Sequence, residues 1–461
     1  MNAQQSTSSE SSEPTGEGQL RRQRRNRQRG VALLITLTWI ALMVAVVSEF
    51  TYGTSVDTAQ AANARDDLRA HYMARSSVNL SRLLIKIQLK FVDPVMKQAQ
   101  QMLGQAMGGN AAAGVGLGIS LRVTDYAGML MGFFSGSKEE VAGLGSLIGL
   151  NTEGVKGLGL KSGRFDAQIT SEDGKIDLNC GSGVATPSRQ ITVFRQLTGL
   201  MYSPRFDRLF SEADANGQFA VRADVARALI DWADLDDRSF TPEGASGNED
   251  YRYDARRDRY RAHDYSYDSI EEIKLVRGVS DAFMEAFEPY MTVYASDMEC
   301  KVNLGAITNK NGGDCTPLLM GILRATVDPA KMTGADAGVL DDARLYPIAS
   351  LLCDRASAAG FDSLDAIINT LGNPQSSVVP DDPRYKVFQG MRGITINKTE
   401  LGKVARVGPQ RVYRIVAVGE SGRVKRKITA IIDTQRALAN PLTLNVGSEK
   451  AAGVLQYWRE E

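Results

Sequence analysis

Histidine is almost missing from this 461-residue chain: His71 and His263 are the only two, and neither stands at the spacing of a metal site or a catalytic triad. Carboxylates are plentiful, but glycosidase chemistry needs two at a fixed separation that sequence spacing does not supply, so the chain reads as a non-enzyme. Net charge is missing too. Lys and Arg total 54 against 54 Asp and Glu, so no overall field recruits nucleic acid. Cysteine is scarce, and Cys180, Cys300, Cys315 and Cys353 contain no C-x-x-C pair. A phosphate loop is absent as well: "GLGLKS" lacks the glycine that must precede its lysine, Leu160 standing there instead.

Two local absences say more. No charged side chain occurs from Gly30 to Ser48, a length close to the ~20 helical residues that cross a bilayer core. No proline occurs after the membrane segment until Pro94, so nothing interrupts a helix that continues outward from it.

What is present begins with six arginines between Arg21 and Arg29, directly before the apolar run. Positive flanks stay inside, which places residues 1–29 in the cytoplasm and the remainder across the membrane. An ordinary secretory signal and a plain uncleaved anchor both compete at this stage. The signal expects a shorter apolar core and a small-x-small cleavage site, whereas this run leads into Ser48-Glu49-Phe50. The Ser/Glu-rich residues 1–20 read as disordered. Beyond the membrane segment, Leu68, Tyr72, Leu80, Leu84 and Ile87 recur at helical spacing and predict a stem packed through that face, with Gly53 marking a weak point or bend.

Residues 96–163 are rich in Gly, Ala and Met and read as an inserted loop or loose helical arm. "GRFDAQITSEDGKIDLN" then predicts a hairpin turning at Glu172-Asp173-Gly174. "RVYRIVAVGESGRVKRKITAIID" predicts a second, with Tyr413, Ile415 and Ala417 on one face. The fold class expected is α+β. One antiparallel sheet, built from residues 164–180 and about 386–434, packs on the long N-terminal helix, and residues 190–375 form an inserted, mainly helical subdomain.

Inside the insertion Asp231, Asp234, Asp236 and Asp237 crowd together, followed by Glu243 and Glu249-Asp250. Hard oxygen donors at this density suit calcium, which takes six to eight oxygens and cancels their repulsion. The loop is no EF-hand, since Arg238 falls at its fifth position and no glycine follows. "IEEIKLVRGVSDAFMEAFEPY" predicts helix, turn, helix. Such hairpins can grip a DNA phosphate, but Gly278-Val279-Ser280 lacks a second glycine, and Glu271, Glu272, Asp281 and Glu285 surround the turn; a packing role is preferred over a nucleic-acid receptor. If the head lies in an oxidising compartment, the four cysteines pair. Nearness in sequence favours Cys300–Cys315 and leaves Cys180–Cys353.

The basic leader, Arg29-Gly30 and Val31-Ala32-Leu33-Leu34 opening an apolar helix resemble the type III signal of pilins and pseudopilins, with Ile35 where most members carry glutamate. "LIDWADLDD", the Gly/Glu/Asp/Tyr segment after it and "SIEEIKLVRGVSDAF" resemble the type II secretion system protein K family of minor pseudopilins. That resemblance implies a pilin-like fold and cleavage by prepilin peptidase between Gly30 and Val31, with N-methylation. It divides the chain into a leader (1–30), a transmembrane part (31–50), a periplasmic stem (51–95), the Gly/Ala/Met-rich insertion (96–163), first strands (164–189), helical subdomain (190–375) and C-terminal strands (376–461). It implies calcium at Asp234, Asp236, Glu249 and Asp250, with Asp231 or Asp237 added. The protein would sit in the inner membrane with its head in the periplasm. Its partners would be the I and J minor pseudopilins at the pseudopilus tip, prepilin peptidase, the inner-membrane secretion platform and membrane lipid, with no nucleic acid, in export of folded proteins. A minor pilin of a type IV pilus or DNA-uptake pseudopilus is the alternative.

Overall fold

The structure is a computed structural model. It describes residues 16–95, 98, 102, 122–135, 163–183, 186–211, 221–242, 247, 253, 260–294, 299–309, 313–327, 336–434 and 454–461, with residues 16–29 as backbone only. Glu249, Asp250, Glu243 and most of the Gly/Ala/Met-rich stretch lie outside the described residues. The chain divides into two compact units, Met1–Leu68 and Arg69–Glu461.

The first unit carries a helix that starts at Gly16, and helical hydrogen bonding continues through Gly53. It contains the helix long and apolar enough to cross a membrane, with none of its most apolar window buried. Its hydroxyls are satisfied within the helix: Thr36 donates to the Leu33 carbonyl at 2.9 Å and Thr38 to that of Ile35 at 2.8 Å. In hydrocarbon, where no water can replace a lost partner, that internal bonding is required.

The second unit holds the last turns of this helix, which run to Ile87, and the α+β head. Four antiparallel strands lie in the order β1 (Arg164–Ser171), β6 (Val412–Ser421), β7 (Val424–Asp433), β8 (Val454–Glu460). Ser421 opposes Val424, so a two-residue turn joins β6 to β7, with Gly422 at φ 59° as such turns require. The expected second hairpin therefore forms. The first does not: β1 pairs with β6, and after the turn only Ile176–Asp177 (β2) is strand, parallel to Met291–Thr292 (β3), while Val302–Asn303 (β4) and Ala405–Arg406 (β5) form a second short parallel pair. The reason lies in the turn itself. Glu172 and Asp173 are buried there and serve a polar junction instead of facing solvent. Glu172 takes Arg414 Nε at 2.6 Å and Lys175 Nζ at 3.0 Å, and Asp173 accepts the Arg411 and Val412 amides. Burial alone would raise the Glu172 carboxyl, but the two cations and hydrogen bonds from Arg414 and Thr292 bring it down to about 2.

One face of the sheet, through Phe165, Ala167, Ile169, Tyr413, Ile415 and Ile428, packs on the stem and on the helix Val123–Ser135. That second helix falls within the Gly/Ala/Met-rich stretch, so this part of it belongs to the core. The stem docks through Ala70, Ala74, Ser77, Val78, Leu84 and Ile85, all buried. Leu68, Tyr72 and Ile87 are exposed and Leu80 is half-buried, so of the predicted face only Leu84 is fully buried. Close approach explains the difference. A Cβ at Gly419 of β6 would overlap the Ala70 carbonyl and the Ala74 amide, and Ser77 reaches the Asp166 carbonyl at 2.9 Å. Only small side chains fit where the two backbones are this near, so Ala70, Ala74 and Ser77 take that stretch, while Leu84 and Ile85 are buried further along the stem.

The helical part runs on past residue 375 to the helix Lys398–Val404, and its core is separate from that of the sheet face. The helices Pro187–Met201 and Thr316–Arg324 touch at Gly199 and Gly321, where any Cβ would strike the opposing backbone. Two disulfides staple this part, Cys180–Cys300 and Cys315–Cys353. This corrects the expected pairing. Cys315 starts the helix Thr316–Arg324 and meets Cys353 of Asp342–Ala358, the helix packed against it, so spatial neighbourhood overrides nearness in sequence. The expected helix over "IEEIKLV" is a 3-10 turn, Ile270–Leu275. Gly278 at φ 83° then leads into Asp281–Phe287, where Ser280 caps the Phe283 amide and Phe283 and Phe287 are buried.

Candidate functional site

The acidic loop is held at its root by packing. The helix Arg222–Asp231 ends in Trp232, whose indole stacks edge-on with Tyr253 and Tyr260 and donates to Glu272 at 2.9 Å. With Trp232 buried, the chain turns beneath it and draws two aspartates inward: Asp231 is 1% and Asp234 2% exposed. Asp231 Oδ1 accepts the Phe240 amide at 2.6 Å, which closes the loop. Asp234 Oδ2 accepts Gln190 Nε2 at 2.9 Å. Its other oxygen, Oδ1, is buried and has no hydrogen-bond partner among the described residues. Burial, then the charges of Asp231, Asp236 and Asp264, push the Asp234 carboxyl up to about 8.

The site residues expected from sequence divide into three groups. Asp231, Asp234 and Asp236 are brought together, Asp236 at the exposed rim with Oδ1 on the Arg238 amide at 3.0 Å. Asp237 is exposed. Glu249 and Asp250 lie outside the described residues. Asp264 was not expected. It belongs to the segment "RAHDY", 30 residues after Asp234, and its amide donates to the Trp232 carbonyl at 3.1 Å. Its φ of 52° is a left-handed conformation that aspartate tolerates better than most residues. No spacing rule flags such a residue; only its return to the loop in space does.

An unpartnered buried carboxylate oxygen beside further carboxylates fits a hard cation, whose charge removes the repulsion and whose coordination occupies the free lone pairs. Among the described residues, no three His, Cys, Asp or Glu side chains converge closely enough to hold a metal alone. Any such set needs donors from elsewhere, and Glu243, Glu249 and Asp250 are the acidic residues next in sequence.

Gly30 and Val31 sit mid-helix and exposed. A Cβ on Gly30 would meet nothing within 4 Å, so packing does not call for glycine there. Glu271 of the helical hairpin pairs with Arg459 of β8 at 2.8 Å, joining the helical part to the sheet.

Residues 193–296 match the family model of type II secretion system (T2SS), protein K. No curated protein sequence matches the chain. Among solved structures, a chain of the GspK-GspI-GspJ complex from the enterotoxigenic Escherichia coli type 2 secretion system is similar, with a TM-score of 0.41 and 14% identity, over 79% of this chain and 99% of that one.

Proposed function

We propose that this chain, a type II secretion system protein K by the domain it carries at residues 193–296, is the minor pseudopilin placed at the tip of the periplasmic pseudopilus. Its work is assembly and the export of folded proteins. The observation that carries this reading is the two-sided stem. One side is fixed to the sheet through small residues, while Tyr72, Leu83, Ile87, Phe91 and Val95 stay exposed on the other, between 39% and 66%. A soluble head has no reason to leave five large apolar side chains in water along one helix; partner helices cover them. Those partners are the I and J type minor pseudopilins, packed beside the stem in the inner membrane and above it.

Prepilin peptidase removes residues 1–30, and the new amino terminus at Val31 is methylated. Gly30, free of any packing role, supports cleavage there. Ile35 in place of a carboxylate means that no charge must be matched inside hydrocarbon, which suits a subunit with none ahead of it. Calcium is held at Asp234 and Asp236, with Glu249 and Asp250 from outside the described residues completing the donor set. When bound, it neutralises the repulsion that otherwise strains this loop.

The test is co-purification from membranes. Wild-type protein brings down secretion minor pseudopilins, and Leu83→Glu/Phe91→Glu loses them without a change in head melting temperature. Recovery of type IV pilus subunits instead would assign the chain to a pilus, and unchanged recovery by the variant would remove the stem interface.

A further inference from the structure

Unpaired backbone groups collect at the edges of a sheet, and the two edges of this one differ. On β1 the Ala167 amide is taken by the Asp166 carboxylate at 2.8 Å, which blunts that edge. Among the described residues β8 pairs with β7 alone. The Glu461 amide donates to the Lys427 carbonyl at 2.8 Å, and its carbonyl accepts the Lys427 amide at 2.9 Å. In an antiparallel ladder such pairs alternate, so Trp458 and Glu460, in register with Ala430 and Ile428, turn their N–H and carbonyl groups outward. No described residue takes those groups.

The strand is also held ready. Trp458 Nε1 donates to Glu460 Oε1 at 2.8 Å, and Tyr457 packs on Tyr294 with ring centroids 5.5 Å apart. Arg459 turns to Glu271 and Glu461, both at 2.8 Å, so its charge does not guard the edge. Apolar surface flanks the open groups on the stem side. Leu455, in register with Ile432 of that core, is 47% exposed, and Trp458 is half-buried against the same core. His71 of the stem reaches Glu460 at 3.7 Å, and the next residue, Tyr72, is exposed.

We infer that the outer edge of β8 is a second docking surface, at which a neighbouring subunit adds an extended strand to the sheet. This rests on the assembly reading given above and names a backbone contact beside the stem. Main-chain hydrogen bonds to Trp458 and Glu460 supply the fit, and side chains select the partner. The strand that fits is apolar where it meets Leu455 and Trp458, and basic where it passes Glu460. A second copy of this chain does not fit. A parallel pair would set Glu460 and Glu461 beside their own like charges, and an antiparallel pair would point the two stems opposite ways, which one membrane forbids.

The experiment co-expresses the full chain with the I- and J-type subunits and purifies it from membranes, as wild type, Glu460→Pro and Glu460→Ala. Proline removes an outward N–H and leaves the pairing with β7 intact, whereas alanine removes only the side chain. Recovery of the two subunits is expected to fall about fivefold for Glu460→Pro and to stay within about twofold for Glu460→Ala, with head melting unchanged in both. In the wild-type complex the Trp458 and Glu460 amides exchange slowly; in the chain alone they exchange fast. Full recovery by a folded Glu460→Pro, or fast exchange of both amides in the complex, overturns the inference and leaves the assembly reading standing. If Glu460→Pro melts lower, the wild-type exchange decides alone. Protection that appears in the chain alone as its concentration rises shows self-pairing and also overturns it. Failure of wild type to recover either subunit overturns the assembly reading and the inference together.

Discussion

Replacing Asp234 by asparagine separates the charge of the acidic loop from its shape. Asparagine keeps the volume and an oxygen for Gln190, but cannot ionise. In the folded chain the Asp234 carboxyl is raised from 3.8 to about 8 by burial and by its acidic neighbours. A raised carboxyl means the folded state holds its proton more tightly. The associated stability is full below about pH 4 and is lost progressively as pH rises toward about 8. At pH 7 about three units of that shift are realised. At 1.36 kcal/mol per unit this is ~4 kcal/mol, reduced to roughly 2–4 by solvent screening at the rim. Asp234→Asn is therefore expected to be more stable than wild type in chelator at pH 7. Its melting temperature should be higher by roughly 2–6 °C for a unit of this size. Near pH 4 the gain disappears. In calcium the gap closes, because wild type gains about 2.7 kcal/mol at a hundredfold excess over Kd, close to the variant's advantage in chelator, and the variant does not. Scanning calorimetry in the two buffers at both pH values measures all of this. A variant that melts below wild type in chelator, or identically in both buffers, refutes the reasoning.

Other outcomes follow from the head. Glu172 is fully buried with its carboxyl lowered to about 2, so its contribution is present above about pH 4.5 and lost as pH falls toward 2. Glu172→Gln is expected to lower stability by about 3 kcal/mol at pH 7, with the gap to wild type closing between pH 5 and 2 in denaturant titrations. Gly419→Val forces β6 away from Ala70 and Ala74, and costs at least the 1–3 kcal/mol of an overpacked core. Limited proteolysis should then cut the stem between residues 70 and 90 faster than in wild type, and an unchanged pattern would contradict the docking described. Non-reducing peptide mapping should recover Cys180 with Cys300 and Cys315 with Cys353. A Cys300–Cys315 peptide would contradict the head's topology.

The apolar N-terminal helix, the β6–β7 hairpin and the root of the acidic loop were legible because each is a local pattern: an uncharged run, an alternation around glycine, a cluster of carboxylates. The features that were misread depend on contacts between distant segments. Leu68, Tyr72 and Ile87 look like a buried face by periodicity, yet Gly419 draws the helix so near the sheet that Ala70, Ala74 and Ser77 take that place. Glu172-Asp173-Gly174 has the composition of an exposed turn, but Arg414 and Lys175 hold Glu172 inside. Cys300 and Cys315 are near in sequence while Cys180 and Cys353 supply their partners. Asp264 reaches the loop through a segment far away in sequence, where the Trp232 carbonyl accepts its amide. In each case a long-range partner decided a residue's place.

Intact mass and N-terminal sequencing of the protein from membranes of cells with and without prepilin peptidase test the central claim most directly. A chain that begins at Val31, methylated, only when the peptidase is present is the predicted result. A Met1 start in both strains, or a cut well beyond Ser48, would contradict the pseudopilin pathway.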